Sequence, residues 1–316
     1  MTNSGIAVSI VLGALLGTGQ AFSQDQAGLG QGQVVVTVLP KHDGDLPAGV
    51  ANQDLSVKVD GKSAKVTRWV PYLSPANSME LVLLIDDSSH TNLGSQLDAI
   101  RHFIKTLPPN TKAAVAYMDY GRAVFSAPLT ADHEKLLSEL HLPGGPAGSS
   151  ASPYFCLSDL AKHWPSNDPA ARREVVMVTD GVDYYQMGYD PDDPYVNAAI
   201  ADSVRARLVV YSIYWRNRGR ADGSEYENNA GQNLLSEVTE ATGGKNFWTG
   251  MGNPVAFDPF LDELTRRFRN QYELGFVSSG NIRPGVETLK LHLSAPGTEI
   301  DAPEKVLMAP FTPAQN

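Results

Sequence analysis

Two carboxylates, two hydroxyls and an imidazole directly follow an uninterrupted apolar run. The run Leu81–Ile85 leads into Asp86-Asp-Ser88-Ser-His90. Because apolar and polar residues do not alternate in the run, we predict a strand buried on both faces, as in a parallel sheet covered by helices. Side chains at the carboxyl end of such a strand lie where open α/β sheets bind ligands. Carboxylates and hydroxyls are hard oxygen donors, so the stretch predicts a divalent cation site.

Two further segments are predicted to reach the same edge of the sheet. Residues 142–152 form a loop rich in Gly and Ser that ends at Ser152, and Val175–Thr179 is a second apolar strand that ends at Asp180. Two carboxylates with hydroxyls hold Mg²⁺ or Mn²⁺ only when water or a ligand oxygen completes the octahedron. The predicted cation would therefore bridge the protein and its partner.

The elements that position these residues alternate between strands and helices from Met79 onward. One predicted helix, over residues 93–107, places Leu97, Ile100 and Ile104 on a single face. A β–α–β alternation with apolar strands predicts the α/β class, with a doubly wound, mostly parallel sheet flanked by helices. Short β-type runs near both chain ends predict a small accessory β module.

The shifts of pattern also predict the division of the chain. We expect a signal peptide over 1–23 and a linker over 24–32. The first part of the β module is expected over 33–75, the α/β domain over 76–278, and the C-terminal strands of the β module over 279–316.

The first residues of the chain have the pattern of an export signal. Ile6–Leu16 is apolar and of secretory length, and Ala21-Phe22-Ser23 is a small-x-small pattern that predicts cleavage after Ser23. We therefore expect a secreted or periplasmic protein. Apolar stretches of membrane-spanning length are lacking downstream, so the mature chain is predicted to have no integral membrane segment.

Composition narrows the classes of partner. Lys and Arg number 25 against 35 Asp and Glu, which gives a net charge of −10. This charge, without a basic cluster, argues against nucleic acid and anionic membrane surfaces as partners. Cys156 is the single cysteine, so a disulfide framework and a Cys-based zinc site are excluded.

The strand-end motifs resemble the von Willebrand factor type A (VWA) domain. Asp86-x-Ser88-x-His90 and Val175–Gly181 are similar to the family's Asp-x-Ser-x-Ser and Asp-Gly motifs, which together with a loop Thr form its metal-ion-dependent adhesion site. Further similarity to exported bacterial VWA-related proteins, of the Acidobacteria type, lies in Asp54–Lys62, Ala241–Lys245 and Gln271–Phe276. The resemblance covers nearly all of residues 33–310.

The resemblance implies specific roles at the site. Asp86, Ser88 and Asp180 would bind the cation, Ser152 (or Ser150 as the second choice) stands in place of the loop threonine, and His90 replaces the second serine. Mg²⁺ or Mn²⁺ is the expected cation. Because imidazole is a borderline nitrogen ligand, His90 would favour Zn²⁺ or other transition metals over Mg²⁺ if it binds the metal. The implied function is non-enzymatic adhesion, in which a protein partner offers an acidic residue to the cation.

Two other classes of function stay open. In one, the site is degenerate and the protein is a metal-independent structural scaffold in an envelope or secreted assembly. In the other, the protein is a metal-dependent hydrolase. The chain lacks the H-E-x-x-H and G-x-S-x-G patterns of such enzymes, which ranks this reading last.

The segment after Asp180 has two features of its own. Tyr184, Tyr185 and Tyr189 are predicted either to form the rim of a binding face or to pack on the domain surface. The aspartates of residues 190–193 lack the spacing and the closing Glu of an EF-hand. The prolines beside them predict the start of a helix instead.

Overall fold

The fold was obtained as a computed structural model. It describes residues 29–311 apart from 43–48, 73–77, 90, 147, 187, 217–224, 251 and 282. The predicted signal peptide 1–23 and the predicted ligand His90 lie outside the described residues. Within them, every helix is too short or too polar to cross a membrane.

Strands and helices alternate along the described chain, after a β-rich start. In chain order they are β1 (Leu29–Pro40), β2 (Leu55–Val59), β3 (Lys62–Pro71), β4 (Met79–Asp86), α1 (Leu97–Thr106), β5 (Thr111–Asp119), β6 (Arg122–Phe125), α2 (His133–Glu139), α3 (Pro153–Lys162), β7 (Arg172–Thr179), α4 (Pro194–Arg205), β8 (Leu208–Tyr214), α5 (Glu225–Thr242), β9 (Asn246–Phe247), α6 (Asp258–Arg269), β10 (Gln271–Asn281), β11 (Gly285–Leu293), β12 (Thr298–Asp301) and β13 (Lys305–Pro310).

One sheet forms the centre of the α/β part. Its strand order is β6-β5-β4-β7-β8-β9, with parallel pairings throughout except for the antiparallel edge pair β5–β6. Helices α1, α2 and α6 pack on one face of this sheet, and α3, α4 and α5 pack on the other. The predicted α/β class is therefore confirmed.

Strand β4 shows why its sequence does not alternate. All eight residues of Met79–Asp86 are buried. Leu81, Leu83 and Ile85 contribute to the core under α1 and α6, whereas Val82 and Leu84 contribute to the core under α3 and α5. A strand covered by helices on both faces needs apolar side chains at successive positions.

The accessory module is larger than the sequence suggested. It is a seven-stranded antiparallel sheet in the order β10-β3-β2-β11-β13-β1-β12, and β1 also pairs with β10, so six strands close into a ring. Strand β10, which the sequence grouped with the α/β domain, pairs with β1 and β3 of this ring. Closure leaves few unpaired strand edges, which protects antiparallel sheets from pairing with other chains.

Part of the predicted linker 24–32 is strand instead. Residues 29–32 open β1, and Gly32 lies opposite Phe276 of the neighbouring strand β10. A Cβ atom at Gly32 would lie 2.7 Å from the Phe276 ring. The glycine is thus required for close packing, and composition alone does not distinguish this role from flexibility.

Helix α5 begins earlier than its apolar pattern predicts. The pattern starts at Leu234, but the helix starts at Glu225. Its first turns bury polar side chains through hydrogen bonds: Asn228 Oδ1 accepts from the Tyr214 hydroxyl at 2.9 Å, and Gln232 Nε2 donates to Gly250 O at 2.9 Å. Hydrophobic periodicity does not detect burial of this kind.

A buried arginine lies against a buried glutamate where the two sheets meet. Arg172 Nε is 3.4 Å from Glu174 Oε1, and both side chains are buried. The Arg172 guanidinium also donates to Phe268 O at 3.0 Å and stacks 5.0 Å above the Tyr72 ring, which follows β3. Burial raises the pKa of Glu174 to about 8, although Arg172 opposes the shift.

The raised pKa of Glu174 makes the stability of the fold depend on pH. The folded state keeps its proton up to about pH 8, whereas the unfolded chain loses it near 4.5. The contribution of Glu174 to the free energy of unfolding should therefore be largest below the unfolded pKa and should be lost as pH rises from there through the folded pKa. Urea unfolding across this range should show a flatter slope for Glu174→Gln than for the exposed control Glu139→Gln, and equal slopes would contradict the assignment.

Candidate metal site

The site lies where β4 and β7 end side by side. The two strands pair in parallel, with Ile85 opposite Val178, so Asp86 and Thr179 are neighbours at the carboxyl edge. In the sheet, β5 lies beside β4 on one side of this strand pair, and β8 lies beside β7 on the other side. The chain therefore leaves β4 in one direction and leaves β7 in the opposite direction. The loops that follow β4 and β7 therefore diverge, and such a divergence opens the crevice where α/β sheets bind ligands.

Asp86 is buried and hydrogen-bonded through both carboxylate oxygens. Oδ1 accepts from the Ser88 backbone N at 2.9 Å and from Ser88 Oγ at 2.6 Å, and Oδ2 accepts from Thr179 Oγ1 at 3.0 Å. Burial raises the pKa of Asp86, against the lowering effect of these hydrogen bonds. Oδ1 accepts from two donors and Oδ2 from Thr179, so the lone pair that remains for a cation is on Oδ2.

The loop before α3 is fixed to the exit of β4 by backbone contacts. Asp87 accepts from Gly144 N through Oδ1 at 3.0 Å and from Gly145 N through its carbonyl at 3.1 Å. A Cβ atom at Gly145 would collide with the side chains of Asp87 and Ser149, so only glycine allows this approach. The loop serines are thereby held over the end of the sheet.

Three hydroxyls of this loop are buried without partners. Within the described residues, the side chains of Ser149, Ser150 and Ser152 make no hydrogen bond of normal geometry. Ser150 lies close enough to Asp86 to lower its pKa, and Ser152 lies close enough to Asp183 to do the same there. The structure thus brings Ser150, the second choice from the sequence, rather than Ser152 next to Asp86.

Asp180 begins the turn after β7. Its Oδ1 accepts from Val182 N at 3.0 Å and its Oδ2 accepts from the Tyr184 hydroxyl at 3.1 Å. Gly181 has a φ of 69°, and the Gly231 carbonyl and the Leu235 side chain leave no room for a Cβ atom. Both constraints explain why glycine follows Asp180.

Thr179 connects the two acidic residues of the site. Its hydroxyl donates to Asp86 Oδ2 and accepts from Gly181 N at 3.2 Å, so it joins the end of β4 to the turn that carries Asp180. The sequence interpretation missed Thr179, and it missed Asp183 as well. Their positions at −1 and +3 from Asp180 were the available signal, because residues at a strand exit share one edge of the sheet.

The donor set is compatible with a hard cation. Asp86, Ser88, Ser150 and Asp180 offer carboxylate and hydroxyl oxygens, which suit Mg²⁺ or Mn²⁺ with water in the remaining positions. The Ser150 hydroxyl is buried beside Asp86 and makes no hydrogen bond of normal geometry within the described residues, and it is the feature that a cation would satisfy. Among the described residues, no group of three or more His, Cys, Asp and Glu side chains is arranged to hold a metal, so hydroxyls are needed here.

Comparisons with known proteins give structural similarity only. No family model matches the chain, and no curated protein matches it. An aerotolerance-related membrane protein from Bacteroides fragilis is 14% identical with a TM-score of 0.43, over 60% of this chain and 98% of its own. BatB from Bacteroides thetaiotaomicron is 13% identical with a TM-score of 0.40, and the match covers 60% of this chain and 97% of BatB.

A VWA domain is also among the similar structures. The SpRpn10 VWA domain is 13% identical with a TM-score of 0.34, over 56% of this chain and 98% of its own. At these identities and TM-scores, the similarities say nothing about what this chain binds.

The Thr179 hydroxyl is expected to contribute to stability. Thr179→Val keeps the shape but removes one donor to Asp86 and one acceptor for Gly181, which should lower the free energy of unfolding by about 1–3 kcal/mol. Thr179→Ser keeps the hydroxyl and is the control. Urea unfolding of the two variants measures the difference, and equal midpoints would show that the hydroxyl does not hold the two loops together.

Proposed function

We propose that the chain is a non-enzymatic binding protein with a VWA-like domain. The strand order and the helices on both faces support a doubly wound sheet of this type. The observation that carries the proposal is the Asp86 carboxylate, which Ser88 and Thr179 orient and beside which the Ser150 hydroxyl is buried. In this proposal a divalent cation binds Asp86, Ser88 and Ser150, and Asp180 binds directly or through water.

The cation supplies an open position for an acidic group of a protein partner. The protein's own residues orient the oxygens that hold it. Exposed aromatic side chains beside the site, Tyr120 and Tyr185, would add contact area around that acidic group. The export pattern of residues 1–23 supports a partner in the periplasm or outside the cell.

A structural scaffold is the competing function, and one observation favours it. Both oxygens of Asp86 already accept hydrogen bonds from the protein, and burial raises its pKa. An internal network of this kind stabilises a fold without any metal. The two proposals differ in whether cations bind at all.

Cation titration separates the two functions. Isothermal titration with Mn²⁺ and Mg²⁺ should give binding that Asp86→Asn abolishes and that Ser150→Ala weakens about tenfold, since each removes a donor from the cation. Ser138→Ala is the matched control, because the Ser138 hydroxyl bonds only within its own helix, to Lys135 O. Binding that is unchanged in Asp86→Asn, or the absence of heat in the wild type, would favour the scaffold.

Partner capture tests the adhesion step itself. Immobilised wild-type protein should retain a partner from the native envelope or secreted fraction in Mn²⁺ and release it in EDTA, whereas Asp86→Asn should retain nothing in either buffer. Retention that persists in EDTA would contradict a metal-assisted contact.

A further inference from the structure

A second set of buried oxygens lies beside the candidate metal site. Within the described residues, Ser152 Oγ, Asp183 Oδ2 and Asp193 Oδ2 make no hydrogen bond of normal geometry. The three residues are only 0%, 1% and 1% exposed, respectively. Buried polar atoms are nearly always paired with protein or water, so three such atoms in one region mark a place that a bound ion would satisfy.

The two aspartates are held by their other oxygen. Asp183 Oδ1 accepts from Tyr185 N at 2.8 Å. Asp193 Oδ1 caps helix α4 by accepting from Tyr195 N at 2.8 Å and from Val196 N at 3.1 Å. These bonds fix the orientation of both carboxylates and leave the two Oδ2 atoms available. Ser152 stands at the N-terminus of α3, but its hydroxyl makes no cap hydrogen bond there.

Backbone and ring contacts bring the three segments together. Tyr184 N donates to Ala151 O at 3.3 Å, which sets the residue before Ser152 against the residue after Asp183. The Phe155 ring packs against Tyr185 at 5.0 Å and against Tyr195 at 4.8 Å. Phe155 follows Ser152 in the sequence, Tyr185 follows Asp183 and Tyr195 follows Asp193, each by two or three residues. The ring cluster therefore keeps the start of α3, the loop after β7 and the start of α4 in contact.

The region is also electrostatically negative. Burial raises the pKa of Asp183, and the charge of Asp193 raises it further. Burial likewise raises the pKa of Tyr154, and the carboxylates that add to that shift are Asp183, Asp180, Glu237 and Asp193. Like charges in a buried region repel, and a bound cation would turn this repulsion into attraction.

We propose that Ser152, Asp183 and Asp193 form a second cation site, separate from the one at Asp86, and that it takes Ca²⁺. The donors come from a loop and two helix starts, an irregular arrangement of hard oxygens that suits the flexible coordination of Ca²⁺ better than the strict octahedron of Mg²⁺. Water would complete the shell. The bound ion fixes the loop after β7, and with it Tyr185, against α3 and α4.

A proton is the alternative ligand for this region. Two buried carboxylates that repel each other are also stabilised when one of them is protonated. Binding of Ca²⁺ at neutral pH distinguishes the cation from the proton, because a shared proton gives no response to the metal.

The test is thermal unfolding of the full chain, freed of metal with a chelator and titrated with CaCl₂. The melting temperature of the wild type should rise with Ca²⁺, as expected for a ligand of the folded state. The rise should be lost in Asp183→Asn and Asp193→Asn, both of which retain an Oδ1 acceptor. It should persist in Asp192→Asn, an exposed neighbour, and in Asp86→Asn, which removes the first site. A melting temperature that ignores Ca²⁺, or a rise lost only in Asp86→Asn, would overturn the proposal.

Ser152→Ala keeps the test decisive if the aspartate variants do not fold. The change removes a hydroxyl that caps nothing, so the fold should survive, and affinity for Ca²⁺ should fall about tenfold. Unchanged affinity in Ser152→Ala would overturn the assignment. Since the Ca²⁺ response is expected to survive Asp86→Asn, failure of this second site and failure of the first would be distinguishable.

Discussion

The buried carboxylate of Asp86 is the constraint on which the candidate site depends. It stands at the end of a strand that is covered on both faces, and burial alone would favour its neutral form. Ser88 and Thr179 offset this cost by donating to its two oxygens. The Thr179 hydroxyl also accepts a hydrogen bond from Gly181 N in the turn after β7. The same side chain therefore orients Asp86 and holds the turn that carries Asp180.

The surrounding elements serve this arrangement. Glycines at 145 and 181 allow close approach of backbone to side chains, and the cores on both faces of the sheet fix the strand ends. The ring of antiparallel strands contributes at a distance, through the junction at Arg172 and Glu174 at the opposite end of β7. A rigid scaffold that positions the loops is the usual condition for a preorganised binding site.

The sequence predicted much of this arrangement, and the misses have physical causes. Apolar runs such as Leu81–Ile85 correctly indicated the central strands and the α/β class, because burial on both faces leaves an unmistakable pattern. Gly32 was misread because close packing against Phe276 and flexibility need the same residue. Likewise, neither periodicity nor composition reveals which of several loop serines faces Asp86, since that depends on the contact of Asp87 with Gly144 and Gly145. Asp183 and Asp193 were invisible as a pair because only the fold brings the loop after β7 and the start of α4 together against the start of α3.

The central claim is that the oxygens around Asp86 hold a divalent cation. The most direct measurement is a crystal structure of the wild-type protein grown with MnCl₂, with data collected at a wavelength where manganese scatters anomalously. We predict an anomalous peak in contact with Asp86, Ser88 and Ser150, and near Asp180. A fully ordered site in the presence of Mn²⁺, with the Asp86 hydrogen bonds intact and no anomalous peak beside them, would contradict the account.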